Sequence, residues 1–245
     1  MSDDEVTGGR RPVAGVVVDS PLAHLDRVFE YAVPSELDDL AQPGARVRVR
    51  FAGREIDGFV VARQAAAAHT GALAPLRRVV SPEPVLTPPM LALARTIADR
   101  YAGSLADVLR LAVPRRHAAA EKALAATVSD PGQVSAPDPG PWTAYPAGEA
   151  FLRRVTAGEA PAAAWLALPG QSASHDWPAA LATAAAAALA GGRGALLIVP
   201  DHRDVDRLDA AVTAALGPGR HVRLTAAQGP QARYTAWLRV LRGHV

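Results

Sequence analysis

Between residues 13 and 63 apolar positions come in short runs or at every second residue, and further on they recur at helical spacing. The runs 13–18, 28–33, 46–51 and 56–61, separated by Pro and Gly, predict four strands of a small antiparallel, barrel-like β unit. In the third of these, alternation sets Val47, Val49 and Phe51 on the core face and Arg46, Arg48 and Arg50 on the other. Ala52-Gly53-Arg54-Glu55 supplies a hairpin loop. After an Ala-rich loop and the apolar stretch 76–80 comes a predicted helix over 88–101. Leu91, Ala94, Ile97, Ala98 and Tyr101 mark its face, Thr87 caps it, and Pro88 fills its first turn. A shorter helix over 104–111 ends ahead of Pro114.

Beyond Trp142 the rhythm changes. Segments 163–168, 195–199 and 221–225 read as strands, and 178–190, 204–216 and 231–241 as helices, the first two stopped by Gly191-Gly192 and Gly217-Pro218-Gly219. Such alternation predicts a parallel sheet with helices packed on its faces. The expected organisation is a disordered tail over 1–11, an α+β domain over 12–116, a linker over 117–140 and a partial α/β domain over 141–245.

Charge adds a regional signal rather than a global one. The whole chain of 245 residues carries 26 basic against 24 acidic side chains. Between residues 40 and 80, however, seven arginines face only Glu55 and Asp57, an excess of five positive charges. The absence of cysteine excludes a disulfide framework and a thiolate zinc site. The seven histidines lack ligand-type spacing, so no metal site is expected. The N-terminus is acidic rather than signal-like, and the longest apolar stretch, 179–190, is too short to span a bilayer. A soluble cytoplasmic protein without membrane partners is the expectation.

The candidate chemistry centres on Phe29-Glu30-Tyr31. An acid between two aromatics beside a basic strand can accept a hydrogen bond from a sugar hydroxyl while the rings stack on a base. Ordinary packing of aromatic strand residues accounts for the same triplet, and on a regular strand Glu30 faces away from both rings. Arg46, Arg48 and Arg50, with Arg77 and Arg78, suit phosphate contacts; a solvated outer face or pairing with acids is the alternative. The loop from Pro169 to Trp177 occupies the place of a phosphate cradle but lacks its chemistry. Counting from Gly170, the positions that need a small residue, Lys and Ser or Thr hold His175, Asp176 and Trp177. Asp176 reads instead as the N-cap of the helix that Pro178 begins. His175 with Ser172 or Ser174 lacks a nucleophile elbow, and no catalytic constellation emerges.

The order of Phe29-Glu30-Tyr31, Pro43-Gly44 ahead of Arg46-Val47-Arg48-Val49, Gly58-Phe59-Val60-Val61 and Pro84-Val85-Leu86-Thr87 resembles the opening of the primosomal protein N′ (PriA) family of replication-restart helicases. The resemblance implies a 3′-DNA-end-binding domain over 12–116. There Phe29, Glu30 and Tyr31 receive the terminal nucleotide and its 3′ hydroxyl, and Gly53 and Arg77 complete the pocket. Glu30 replaces the family's shorter Asp, and Arg77 its Lys. The stretches 165–175, 195–200 and 234–238 resemble parts of the first, RecA-like helicase lobe. The winged-helix module is missing, and the lobe is truncated without a functional Walker A. The resemblance thus implies an N-terminal fragment of the actinobacterial branch with degenerate helicase motifs. Its implied function is non-catalytic recognition of stalled forks through the 3′ end of the nascent leading strand, with no ATP and no zinc. Forked or single-stranded DNA with a free 3′ end is the implied partner, together with other primosome proteins and single-stranded DNA-binding protein. An ATP-dependent 3′–5′ helicase in a full-length form is the rival reading, and an adaptor for an acidic protein a third.

Overall fold

Five strands find antiparallel neighbours in the computed structural model, which describes residues 11–125, 132–169 and 171–245. The expected tail over 1–11 therefore lies almost wholly outside the described residues, as does Gly170. Backbone contacts divide the chain into two units, Met1–Arg115 and Arg116–Val245.

In the first unit the strands are β1 (Val13–Val18), β2 (Val28–Ala32), β3 (Arg46–Phe51), β4 (Arg54–Gln64) and β5 (Arg78–Ser81). They form one sheet in the order β2-β1-β4-β3-β5. The sheet is open, with β2 and β5 at its edges, which corrects the barrel-like expectation. Curling alone brings distant parts of it together: the segment after β4 bonds Ala32 of β2 through Ala74 and Leu76, then Arg48 of β3 through Arg77. Every residue of β1 is buried, as an unbroken apolar run predicts for a central strand. On β3 Val47 and Val49 are fully buried and the three arginines lie on the opposite face, as alternation requires. Ala14, Val16, Val60 and Leu76 join those valines in the core.

The β3–β4 hairpin turns in two residues rather than four. Phe51 pairs with Arg54, and Ala52 (φ 47°) and Gly53 (φ 80°) both take the left-handed conformation of a type I′ turn. Helices α1 (Pro88–Arg100) and α2 (Leu105–Ala112) follow, capped by Thr87 and Ser104, whose hydroxyls accept from the N–H of Met90 and Asp107. Asp26 ties both helices to the sheet. Its carboxylate takes Arg95 at 2.8 Å and the Leu105 N–H at 2.9 Å.

The second unit is helical: α3 (Ala118–Ala125), α4 (Gly148–Thr156), α5 (Trp177–Ala190), α6 (His202–Leu216) and α7 (Pro230–Leu241). Helix α3 occupies part of the expected linker, because a run of alanine is the best helix former available and Glu121 within it accepts a hydrogen bond from buried Tyr234 at 2.6 Å. Trp142 gathers Tyr145, Phe151 and Trp165 around it and donates its indole N–H to the Ala180 carbonyl at 2.8 Å.

No strand forms among the described residues of this unit, so the parallel sheet of a RecA-like lobe is absent from them. The period of two survives at 195–199. Leu197 and Val199 pack against α6 residues Leu208 and Val212, whereas Leu196 and Ile198 are 83% and 84% exposed. A strand needs a neighbour for its backbone groups, and a parallel sheet needs cover on both faces. Here one face has none. No described helix is long and apolar enough to cross a membrane.

Candidate nucleic-acid interface

The sheet's curl sets the start of β2 beside the β3–β4 turn and the loop 65–74, enclosing an open cleft of about 640 Å³. Phe29, Glu30 and Tyr31 all line it, together with Arg27, Arg50 and Phe51. Because β2 is an edge strand, a cleft running alongside it borders residues of both its faces. This resolves the difficulty that alternation points Glu30 away from the rings.

Each member of the triplet is held differently. Tyr31 is buried in the core at 4% exposure, and its hydroxyl donates to the Arg50 carbonyl at a long 3.5 Å. Burial raises the Tyr31 pKa, so the phenol keeps its proton and remains a donor. Phe29 is half-buried, edge-on to Phe51 with ring centres 4.8 Å apart, and the Arg27 guanidinium lies 4.8 Å above its ring. Only part of the Phe29 ring is thus left for a base.

Glu30 turns toward the loop. Its two carboxylate oxygens accept the backbone N–H of Ala68 at 3.0 Å and of His69 at 2.9 Å. These two bonds, the Ala68 one foremost, pull its pKa below the ordinary glutamate value and fix it as an anion at neutral pH. A carboxylate has about four acceptor directions, so two remain for a ligand hydroxyl.

The arginines separate by role. Arg46 donates to the Pro114 carbonyl at 2.6 Å and stacks 4.8 Å from the Phe59 ring. Arg48 pairs with Asp57 at 2.7 Å across the β3–β4 ladder. Arg50, on the cleft, and Arg78, opposite Arg48 in the β3–β5 register, are exposed and have no carboxylate partner among the described residues. Arg77 reaches Glu55 at 3.5 Å, and neither it nor Gly53 lines the cleft; Ala52, beside Gly53, does. The structure therefore gathers Phe29, Glu30, Tyr31 and Arg50, and leaves Gly53 and Arg77 outside.

Sequence reasoning missed Arg27, Phe51, Ala68 and His69. Arg27 sits one residue ahead of β2 and two before Phe29, a spacing that is legible in the sequence. Ala68 acts through its backbone, which carries no sequence signal.

In the second unit the would-be phosphate loop is occupied by its own contacts. Asp176 accepts the Trp177 N–H at 2.7 Å as the α5 N-cap and pairs with Arg207 at 2.5 Å. His175 meets the hydroxyls of Ser172 and Ser174 with its ring and donates its backbone N–H to the Ser172 carbonyl, in an exposed stretch. No cluster of metal-ligating side chains occurs among the described residues.

Residues 15–114 match the family model of the PriA 3′DNA-binding domain (3′BD). The chain is 50% identical over 221 residues, 90% of its length, to a probable replication restart protein PriA of Mycobacterium tuberculosis (strain CDC 1551 / Oshkosh), and covers 33% of that protein. It is 48% identical over 222 residues to the corresponding protein of Mycobacterium leprae (strain TN), covering 34% of it. The replication restart protein PriA of Bacillus subtilis (strain 168) is 30% identical over 102 residues, 41% of this chain and 13% of that protein. The chain thus spans about a third of the length of its mycobacterial relatives. With an open five-stranded sheet, an edge-strand cleft and these matches together, the chain belongs to the PriA replication restart family, and residues 15–114 are its 3′ DNA-binding domain.

Proposed function

We propose that this protein recognises stalled forks by the 3′ end of the nascent leading strand, without unwinding DNA itself. The observation that carries the reading is the cleft that brings an ionised Glu30 together with Phe29, Tyr31 and the exposed cations Arg27 and Arg50. A strand end presents a hydroxyl and a base where an internal nucleotide presents another phosphate. The Glu30 carboxylate accepts from the hydroxyl and repels a phosphate, the rim of Phe29 offers a partial stacking surface, and the two arginines sit where the preceding phosphate passes. Glu30 serves as the discriminating group, and the loop 65–74 holds it in place.

The absence of unwinding rests on Asp176. A phosphate cradle needs a cation there, and this carboxylate is already committed to the α5 cap and to Arg207. Mant-ATP is expected to give no saturable signal with this chain.

Fluorescence anisotropy with forked DNA tests the main reading. A free 3′ hydroxyl is expected to bind about tenfold more tightly than a 3′ phosphate, as for one charge-assisted hydrogen bond, and Glu30→Ala to erase the difference. Equal affinities for the two ends in the unmodified protein would overturn end recognition.

A further inference from the structure

The outer face of β3 connects the cleft to a second cavity. Arg50 lines the cleft at one end of the strand, and Arg46, four residues back on the same face, lines a cavity of about 230 Å³ between the sheet and α2. Its walls are apolar: Val17 from β1, Phe59 from β4, and Leu109 and Val113 from α2 and its end. Its mouth is cationic. Arg46, Arg110 and Arg115 stand there against two acids, Asp19, which also lines the cavity, and Asp107, which pairs with Arg110.

Two of these guanidinium groups are fixed before any ligand arrives. Arg46 is held by the Pro114 carbonyl and the Phe59 ring, and Arg110 by Asp19 and Asp107, both at 2.6 Å. Arg115 is exposed and has no carboxylate partner among the described residues. An inorganic anion would gain nothing from the apolar walls, and a purely apolar ligand nothing from three guanidinium groups. A nucleotide uses both, placing its base inside and its phosphate at the mouth. The volume is below that of whole-ligand pockets, which suits one base rather than a larger group.

We propose that this cavity is a second nucleotide subsite, on the 5′ side of the strand end. The proposal rests on the end-binding reading of the cleft. Four residues of β3 span about 13 Å. A single strand covers that in about two to four nucleotides, depending on how far its bases unstack from the roughly 3.4 Å spacing of a duplex strand. Between the two sites Arg48 is neutralised by Asp57, but exposed Arg78 lies directly opposite Arg48 and keeps the path positive. The cavity therefore reads strand length, where the cleft reads strand end. An acidic peptide with an apolar residue has related chemistry, yet nothing ties it to the β3 row that joins the two sites.

The test uses the full chain and single strands of two to eight nucleotides, each with a 3′ hydroxyl or a 3′ phosphate, competing against a labelled fork. Affinity is expected to step up roughly five- to tenfold as the strand grows from two to about five nucleotides, then level off. Arg115→Glu, on the surface, and Ala106→Phe, which fills the cavity, should each remove the step and leave the hydroxyl-over-phosphate preference intact, with folding checked by circular dichroism. Absence of a step in the unmodified protein overturns the proposal, as does a step that survives both substitutions. Selective loss of binding to an acidic peptide, with the nucleotide step retained, overturns it in favour of protein docking. A step that disappears in both variants supports the second subsite even where the two strand ends bind alike, an outcome that counts against end recognition alone.

Discussion

Strand β1 and the segment 195–199 are alike as sequence and opposite as structure. Both are short runs of small and branched apolar residues, bounded by Pro12 and Asp19 in one case and by Gly194 and Pro200 in the other. In the first unit β1 lies between β2 and β4, and all six residues are buried. In the second, 195–199 has no paired neighbour among the described residues, and its alternate side chains, Leu196 and Ile198, face outward. The difference lies in what surrounds each run. The first unit holds four more strand segments close in sequence, joined so that neighbours in the sheet run antiparallel and each strand satisfies the backbone of the next. The second separates its candidate strands by whole helices, and only the face that meets α6 is covered.

The strongest way to break this contrast is to put a charge at matched positions. Val16→Asp, at a fully buried site of β1, is expected to cost about 4 kcal/mol or more and to remove the β signal, while Leu196→Asp should change stability by less than about 0.5 kcal/mol. Urea titrations followed by circular dichroism compare the two, and equal losses would mean that the second unit is packed as tightly as the first.

Next in size is the loop that Glu30 holds. Glu30→Ala should raise hydrogen exchange at the Ala68 and His69 amides about tenfold or more, since both lose their acceptor. Because the folded pKa of Glu30 is depressed, its contribution is complete above the unfolded value and is lost only as pH falls through the lower folded one. Protection of those amides should therefore persist through the ordinary glutamate range. Loosening within that range would refute the clamp.

Smaller effects separate the charged groups. Asp176→Ala should cost about 1 kcal/mol through the lost α5 cap, visible as a lower melting temperature; Asp176→Lys should cost as much and still leave mant-ATP unbound, because His175 and Trp177 also lack the small residue and the hydroxyl that a phosphate cradle needs. Asp57→Ala should leave stability nearly unchanged, because its pair with Arg48 is exposed, but should free that arginine. Fork binding should then tighten by about two- to threefold, and its salt dependence should steepen by close to one counterion. An unchanged salt slope would place Arg48 outside the DNA path.

Much of the first unit could be read directly from residues. The strands beginning at Val13, Val28 and Arg46 announce themselves by alternation or by unbroken apolar runs, and the helices by Thr87, Ser104 and the prolines beside them. The cap Asp176 likewise marks α5, since capping is a contact between near neighbours, whereas α6, predicted from residue 204, begins at His202 behind the cap Asp201. What misled was the part that depends on distant partners. The linker composition concealed α3, whose Glu121 is met by Tyr234 from α7. The loop 65–74 looked featureless because its contribution to the site is two backbone N–H groups.

The sequence by itself determined the local elements, the arginine face of β3, the loss of phosphate-cradle chemistry at Asp176 and the family to which Phe29-Glu30-Tyr31 points. All of these are set by residue identity and short spacing. Tertiary structure alone decided that Tyr31 is core while Glu30 is clamped, that the Arg46 and Arg48 side chains bond to protein groups while Arg50 and Arg78 have no carboxylate partner among the described residues, and that Arg77 and Gly53 stand outside the cleft. Those outcomes depend on which side chains the curl of the sheet brings within hydrogen-bonding distance, and a one-dimensional pattern carries no record of that curl.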